Sequence, residues 1–319
     1  MKSSTVSALL RRSLVLLLSL GFASGCQLVP SAPTTSYAPP AQLVHAASWS
    51  EVLRNPTEPL ALFSVVAADW SVPSRGLINL DHPKARAAGL SNVEHPISVL
   101  THVIRHPTMG DFLIDTGIDQ GLADGDPQAI KGLVRPFLKD MRPRESLGAT
   151  IAKHQLKLTA LLLTHAHLDH VLGLPDLPLD VPIYTGKGEL HTRAGANGLL
   201  RRTYSALFAG HNDIREFTAQ TTIEGLSVVD ILGDGSIWAI LCPGHTQGSV
   251  AYLVNAASGP VLFTGDTSHT RWGWEHGVEP GRYSSDRLAN RRSLLALKNL
   301  VTQHPQIRVV VGHELSPMP

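Results

Sequence analysis

From Leu60 onward, short runs of aliphatic and β-branched residues recur along the chain: Leu60 to Ala67, Ile97 to Ile104, Phe112 to Ile114, Leu161 to Leu163, Ile223 to Leu232, Ile237 to Leu241, Val250 to Val254, Val261 to Phe263 and Ile307 to Val311. Their length, and the Gly, Pro and Asp that bound them, predict strands rather than helices. Between them, Gln128 to Met141, Glu145 to His154, Lys187 to Leu200 and Arg287 to Thr302 carry apolar residues at helical spacing. Helices flanking sets of strands predict a layered α/β architecture. No repeat of fixed short period is present. Upstream, Gln27 to about Ala47 is rich in Pro, Ser, Thr and Ala and has no apolar period, so residues 26–55 read as a tether and 56–319 as one folded domain.

The first 25 residues read as an export signal. Lys2, Arg11 and Arg12 form a positive region, and Leu14 to Ala23 form an apolar stretch too short to span a bilayer. The stretch ends in Ala23-Ser24-Gly25-Cys26, which resembles the lipobox of bacterial lipoproteins, in which the cysteine is acylated and becomes the new N-terminus. It departs from that family at Ala23, where Leu or another branched aliphatic is usual. The resemblance implies a lipid anchor on Cys26, and Gln27 resembles lipoproteins sorted to an outer membrane; an ordinary cleaved secretory signal is the alternative. Cys26 and Cys242 are the only cysteines, so a lipidated Cys26 leaves no intramolecular disulfide. Cys242 reads as a small buried hydrophobe at a strand end.

At 319 residues and 43% hydrophobic content, the chain has apolar material for one sizeable core. Its formal net charge of +1, with no Lys/Arg cluster beyond the N-terminus, gives no footprint for nucleic acid.

The chemistry concentrates in Leu161-Leu-Leu-Thr-His165-Ala-His167-Leu-Asp169-His170, four metal-ligating residues directly after an apolar run. A tight turn leaving a strand can aim His165 and His167 at one cation while Asp169 and His170 face a second. Imidazole with carboxylate suits Zn²⁺ better than Mg²⁺ or Ca²⁺, which prefer all-oxygen shells; Fe and Mn fit the same donors. Three further segments repeat one grammar, an apolar run ending in a Gly-containing turn with a ligand: Ile240-Leu-Cys-Pro-Gly-His245, Val261-Leu-Phe-Thr-Gly-Asp266 and Val309-Val-Val-Gly-His313. Strand ends suit metal sites because the sheet fixes the loop roots while the loops converge.

In composition and order, His165-x-His167-x-Asp169-His170, then His245, Asp266 and His313, resemble the metallo-β-lactamase superfamily, and Leu113-Ile-Asp115-Thr-Gly117 resembles its upstream strand and turn. The resemblance implies an αβ/βα sandwich of two mixed sheets with helices on the outer faces. It also implies a centre of two divalent metals, with His165, His167 and His245 on one, Asp169, His170 and His313 on the other, and Asp266 bridging. A bridging carboxylate disfavours antibiotic hydrolysis.

A finer resemblance links Ser98-Val-Leu-Thr-His-Val-Ile-Arg-His-Pro107 and Gly265-Asp266-Thr-Ser-His-Thr270, followed by Glu279-Pro-Gly281, to the lactonases that open N-acyl homoserine lactones. Those enzymes place a substrate-contacting Tyr where this chain has His269, and they follow the last histidine of the quartet with Ala-Gly-Gly where this chain has Val171-Leu-Gly173. The implied reaction is attack of a metal-held hydroxide on an ester-type carbonyl, with Asp169 or Asp266 returning a proton to the leaving group. The implied partner is a small ester or lactone. Phosphodiester, sulfate-ester or thioester hydrolysis and a non-catalytic metal-binding lipoprotein are the alternatives. His269 either donates a hydrogen bond to substrate or is a solvated loop histidine. Asp115 either orients a ligand imidazole or closes a turn. Trp272, Trp274 and Tyr283 line a substrate channel, anchor packing or face a bilayer, and His82, His95, His154, His211 and His304 read as surface or core residues.

If Cys26 carries the anchor, Cys26→Ser moves the protein from the membrane to the soluble fraction, because each buried CH₂ of the lipid is worth about 0.8 kcal/mol and the tether has no apolar helix to replace it. Fractionation of cells expressing the mutant checks this; membrane retention contradicts it.

Overall fold

Side chains alternate between the two faces of each strand, and here both faces are apolar, so every central strand is covered on both sides. The computed structural model describes residues 34–37, 46–53, 60–130, 132–191 and 198–315. Its strands are β1 (Thr34–Ser36), β2 (Ala61–Pro73), β3 (Glu94–His106), β4 (Gly110–Ile114), β5 (Arg142–Pro143), β6 (Leu158–Leu162), β7 (Ile183–Gly186), β8 (Ile214–Phe217), β9 (Thr221–Ile223), β10 (Leu226–Asp230), β11 (Ile237–Leu241), β12 (Val250–Ala256), β13 (Gly259–Phe263) and β14 (Arg308–Val310). They form an eight-stranded sheet ordered β1-β8-β7-β6-β4-β3-β2-β5 and a six-stranded sheet ordered β14-β13-β12-β11-β10-β9. Both are mixed: β4, β6, β7 and β8 run parallel, as do β13 and β14, while the remaining pairs except β1 with β8 are antiparallel.

The sheets pack face to face. On β6, Ala160 and Leu162 enter the core between the sheets, where they meet Tyr252 and Val254 of β12 and Val261 and Phe263 of β13. The intervening Leu161 faces outward, into a second core with Leu147, Tyr204 and Leu207 of helices α1 (Leu147–His154) and α2 (Gly198–Leu207). On the far side, Ala251, Leu253 and Leu262 meet Leu294, Leu297 and Leu300 of helix α3 (Arg287–Gln303). The result is the expected αβ/βα sandwich. Helix α1 starts where the Ser146 hydroxyl accepts from Ala149 N at 3.0 Å, and α3 where the Asp286 carboxylate accepts from Ala289 N at 2.9 Å.

The departures from sequence expectation have local causes. The run Ile223 to Leu232 is a hairpin, because Glu224 (φ 48°) and Gly225 (φ 85°) both turn left-handed and reverse the chain between β9 and β10. The helix expected over 128–141 is a 3₁₀ segment at Gly132–Asp140, where Pro136 lacks an N–H for an α-helical ladder. The helix expected over 187–200 is instead a 3₁₀ turn, Glu189–His191, and the later α2.

Part of the expected tether belongs to the folded body. β1 pairs with β8, and the Tyr37 ring packs edge-on against Tyr184 and Phe217, with its hydroxyl donating to the Ile231 carbonyl. The segment at Ala46–Leu53 buries Trp49 and Val52 in the outer core of the second sheet, and Asn255 Nδ2 donates to the Val52 carbonyl at 2.7 Å. These residues were read as linker because one aromatic among polar neighbours gives no period. The expected signal (1–25), Cys26 and the rest of the tether lie outside the described residues. Among the described residues no helix is long and apolar enough to cross a membrane.

Trp49 is 1% exposed, so Trp49→Ala is expected to lower stability by about 3–5 kcal/mol. Urea denaturation checks this; an unchanged midpoint would return the segment to the status of a tether.

Candidate metal centre

Every predicted ligand lies just past the C-terminal end of a strand, or in the first turn after it. Leaving β6, the chain passes Leu163 and Thr164 to His165; His167 caps a short helix, α4 (Leu168–Val171), whose first turn presents Asp169 and His170. His245 follows β11, Asp266 follows β13 in the 3₁₀ turn Gly265–Thr267, and His313 follows β14. Because β11 and β13 are both antiparallel to β12, and β14 is parallel to β13, all three deliver their loops to one edge of the sheet.

The loops bring together all eight candidate residues. His165, His167, His245 and Asp266 form one group whose donor atoms lie within 4.8 Å of one another; Asp169, His170 and His313 form a second; Asp266, His269 and His313 form a third. The Asp266 carboxylate is central. Its Oδ2 lies 3.5 Å from His165 Nε2, 3.5 Å from His170 Nε2, 3.3 Å from His245 Nε2, 3.0 Å from His269 Nε2 and 3.3 Å from His313 Nε2. Gly312 permits this approach, since a Cβ there would stand 2.2 Å from Asp266 Oδ1.

Five of the six histidines aim Nε2 inward because Nδ1 is held from behind. His269 Nδ1 lies 3.0 Å from the Leu77 carbonyl oxygen and His313 Nδ1 3.0 Å from that of Ser98. A carbonyl only accepts, so Nδ1 carries the proton and a neutral ring presents a lone pair at Nε2. His170 Nδ1 is 2.7 Å from Asp115 Oδ2, His165 Nδ1 3.1 Å from Thr164 Oγ1 and His245 Nδ1 3.2 Å from Ser284 Oγ. His167 turns the other nitrogen inward, its Nδ1 2.8 Å from His245 Nε2. Asp115 therefore orients a candidate ligand imidazole, and it also accepts from Thr164 N and Thr164 Oγ1, both at 2.8 Å, from a left-handed backbone (φ 56°).

The donor set fits divalent cations. Ligand atoms bound at 2.0–2.2 Å to a tetrahedral zinc stand roughly 3.3–3.6 Å apart, which is the spacing of the His165, His170, His245 and His313 nitrogens around Asp266, with His269 closer. His165 Nε2, His170 Nε2 and Asp266 Oδ1 are buried with no hydrogen-bond partner among the described residues. Buried polar atoms left this way are costly unless something else binds them.

Electrostatics divides the histidines. Burial pushes His167 down to about 3, with His245 adding to the effect, and pushes His245 down to about 4. Burial, then the His170 charge, holds His165 well below its ordinary value. For His313 burial opposes protonation, but Asp266 and Asp169 outweigh it and raise the ring to about 9. His170 is likewise raised well above its ordinary value, the pull of Asp266, Asp115 and Asp169 exceeding the cost of burial. Burial would raise Asp266, yet His269, His313, His170 and His165 together hold it well below the carboxylate range. The centre is thus a buried anion inside a shell of nitrogens.

His269 is 1% exposed and belongs to this shell, which removes its reading as a solvated loop histidine. Trp274 is buried in the outer core, and the half-buried Trp272 stacks on His276 at 4.2 Å and packs against the apolar cluster that includes Val72 and Val278. Tyr283 is half-buried with its ring 6.3 Å from His269. His82 caps Lys84 N and His211 faces the Leu174 carbonyl, both away from the cluster. Sequence reasoning missed Ser284 and Glu189. The second had a signal: Ile183-Tyr-Thr-Gly-Lys-Gly-Glu189 repeats the apolar run and glycine turn that mark the ligands.

The metallo-beta-lactamase superfamily model matches residues 96–304. The probable metallo-hydrolase YqgX of Bacillus subtilis is 34% identical over 121 residues, 35% of this chain and 53% of that protein. The N-acyl homoserine lactonase AttM of Azorhizobium caulinodans is 34% identical over 86 residues, 27% of this chain and 32% of that protein. The chain thus spans about half of one relative and a third of the other. A crystal structure of a quorum-quenching N-acyl homoserine lactone lactonase superposes with a TM-score of 0.60 at 15% identity, covering 82% of this chain and 94% of that one, a likeness of fold. With the family model covering most of the sandwich and all of its candidate ligands except His313, this chain belongs to the metallo-β-lactamase superfamily.

Proposed function

We propose that the protein is a dinuclear-metal hydrolase of ester-type carbonyls, with a lactone such as an N-acyl homoserine lactone as its substrate. The observation that carries this reading is the ring of inward-facing donors around Asp266. His165, His167 and His245 would hold one ion, Asp169, His170 and His313 the other, and Asp266 both, with zinc the metal this donor set suits best. When bound, two such ions would supply a hydroxide near neutral pH and a positive field for the charge that develops on the carbonyl oxygen.

The protein's own residues do the rest. Asp115, Thr164, Ser284 and the Leu77 and Ser98 carbonyls hold the imidazoles in one tautomer and orientation. Asp169, half-buried at the edge of the cluster, has a carboxylate that can carry a proton to the leaving alkoxide. With Nδ1–H on the Leu77 carbonyl, His269 would take the role of hydrogen-bond donor to substrate, which a tyrosine plays in the lactonases this sequence resembles, through Nε2 when that nitrogen also carries a proton. The lactone assignment draws on that resemblance and on the likeness to AttM. Lipid on Cys26 would tether the activity to the bacterial envelope.

Purified protein is expected to carry two transition-metal ions per chain, and Asp266→Ala to lose metal and activity together, because one carboxylate serves both sites. Elemental analysis beside a panel of lactone, p-nitrophenyl ester, phosphodiester and thioester substrates checks both parts. An active chain with a single ion contradicts the dinuclear reading, and preference for a phosphodiester or thioester contradicts the lactone assignment.

Removing an engaged oxyanion donor costs about 2.7–4 kcal/mol, a factor of roughly 10²–10³ in rate. His269→Ala is expected to lower kcat/KM by that order with metal content intact. Wild-type lactone hydrolysis by the mutant would make His269 a bystander, and loss of an ion would move it into the ligand set.

A further inference from the structure

Glu189 is 1% exposed, carries its carboxylate in the 3₁₀ turn after β7, and touches both loops of the three-histidine group. Its Oε1 accepts from Ala166 N at 2.8 Å, the peptide between His165 and His167. Its Oε2 accepts from Thr246 Oγ1 at 2.7 Å and Gly248 N at 2.9 Å, in the loop that begins at His245. Ser249 Oγ, 2.7 Å from Thr246 Oγ1 and 2.9 Å from Thr246 N, completes the network.

We propose that Glu189 is a positioning residue that locks the His165/His167 loop to the His245 loop and thereby sets the affinity of the three-histidine half of the centre. The proposal rests on the dinuclear-metal reading above. The two loops come from different sheets, β6 in one and β11 in the other, so a metal held by both requires that they keep a fixed separation. A carboxylate with three donors supplies it: charge-assisted hydrogen bonds are about twice as strong as neutral ones, and three of them compensate the burial of the charge. The contact is built in on the other side as well, because Gly248 leaves no Cβ where one would stand 2.7 Å from Glu189 Cβ and 2.6 Å from the Gly186 carbonyl oxygen. Nothing larger fits between the loops. The second half of the centre has separate anchors, Asp115 on His170 and the Ser98 carbonyl on His313.

The test is stepwise Zn²⁺ affinity of the full chain, measured by competition with a chromophoric chelator, with Co²⁺ absorption as a second readout. Removing such an orienting partner weakens metal binding by roughly 10–100-fold. In Glu189→Gln an amide N–H₂ faces the Gly248 or Ala166 N–H, so one of the two ions is expected to weaken by that factor while the other keeps its wild-type affinity. Thr246→Val, which removes one donor and leaves the carboxylate, is expected to show the same selective change at smaller size, and it decides the matter if the Gln variant does not fold. Wild-type affinity for both ions in a folded variant, or equal loss of both, overturns the role of Glu189. A wild-type chain that binds fewer than two ions overturns the dinuclear reading instead.

Discussion

One buried carboxylate constrains the whole centre. Asp266 is 4% exposed and stands within 3.5 Å of five imidazole nitrogens. Neutral imidazoles with lone pairs turned toward a carboxylate repel it; protonated ones must be desolvated. Either state is expensive in a low-dielectric interior, and divalent cations between the donors would relieve both costs. What keeps the rings from rotating away is the far side of each: a carbonyl, hydroxyl or carboxylate on Nδ1. The fold therefore stores an arrangement that the residues at its centre would not adopt by themselves, and the outer hydrogen bonds are as much a part of the site as the ligands.

Those outer partners also tie the two sheets together. Thr164 is the clearest case. Its N–H and hydroxyl donate to Asp115, its hydroxyl oxygen sits 3.1 Å from His165 Nδ1, and its carbonyl accepts from Val250 N at 2.8 Å at the start of β12. A single residue just past β6 thus joins the end of β4, a candidate ligand and the opposite sheet. Tyr252, buried between the sheets, adds a hydroxyl bond to the Leu163 carbonyl at 2.8 Å. Packing between the sheets and geometry at the centre are consequently coupled.

The central strands and the candidate ligands are legible in the sequence for one reason: both depend on short-range pattern. An apolar run followed by a glycine turn and a His or Asp is visible without knowing what lies opposite. β1, β7 and β8 were missed because their stability comes from neighbours in the sheet; Thr34–Ser36 is polar, and Ile214–Phe217 has two charged residues between its apolar ends. Trp49 was missed because a docked aromatic has no period. The carbonyls of Leu77 and Ser98 carry no side-chain signature at all, and although Glu189 follows an apolar run and a glycine turn, its part as a link shows only when the two loops it joins are seen together.

The most direct measurement is anomalous diffraction at the zinc absorption edge from crystals of the protein grown with Zn²⁺. The account predicts two peaks, one among His165, His167 and His245 and the other among Asp169, His170 and His313, each within bonding distance of the Asp266 carboxylate. A single peak, or two peaks of which one has no contact with Asp266, would contradict a bridged dinuclear centre.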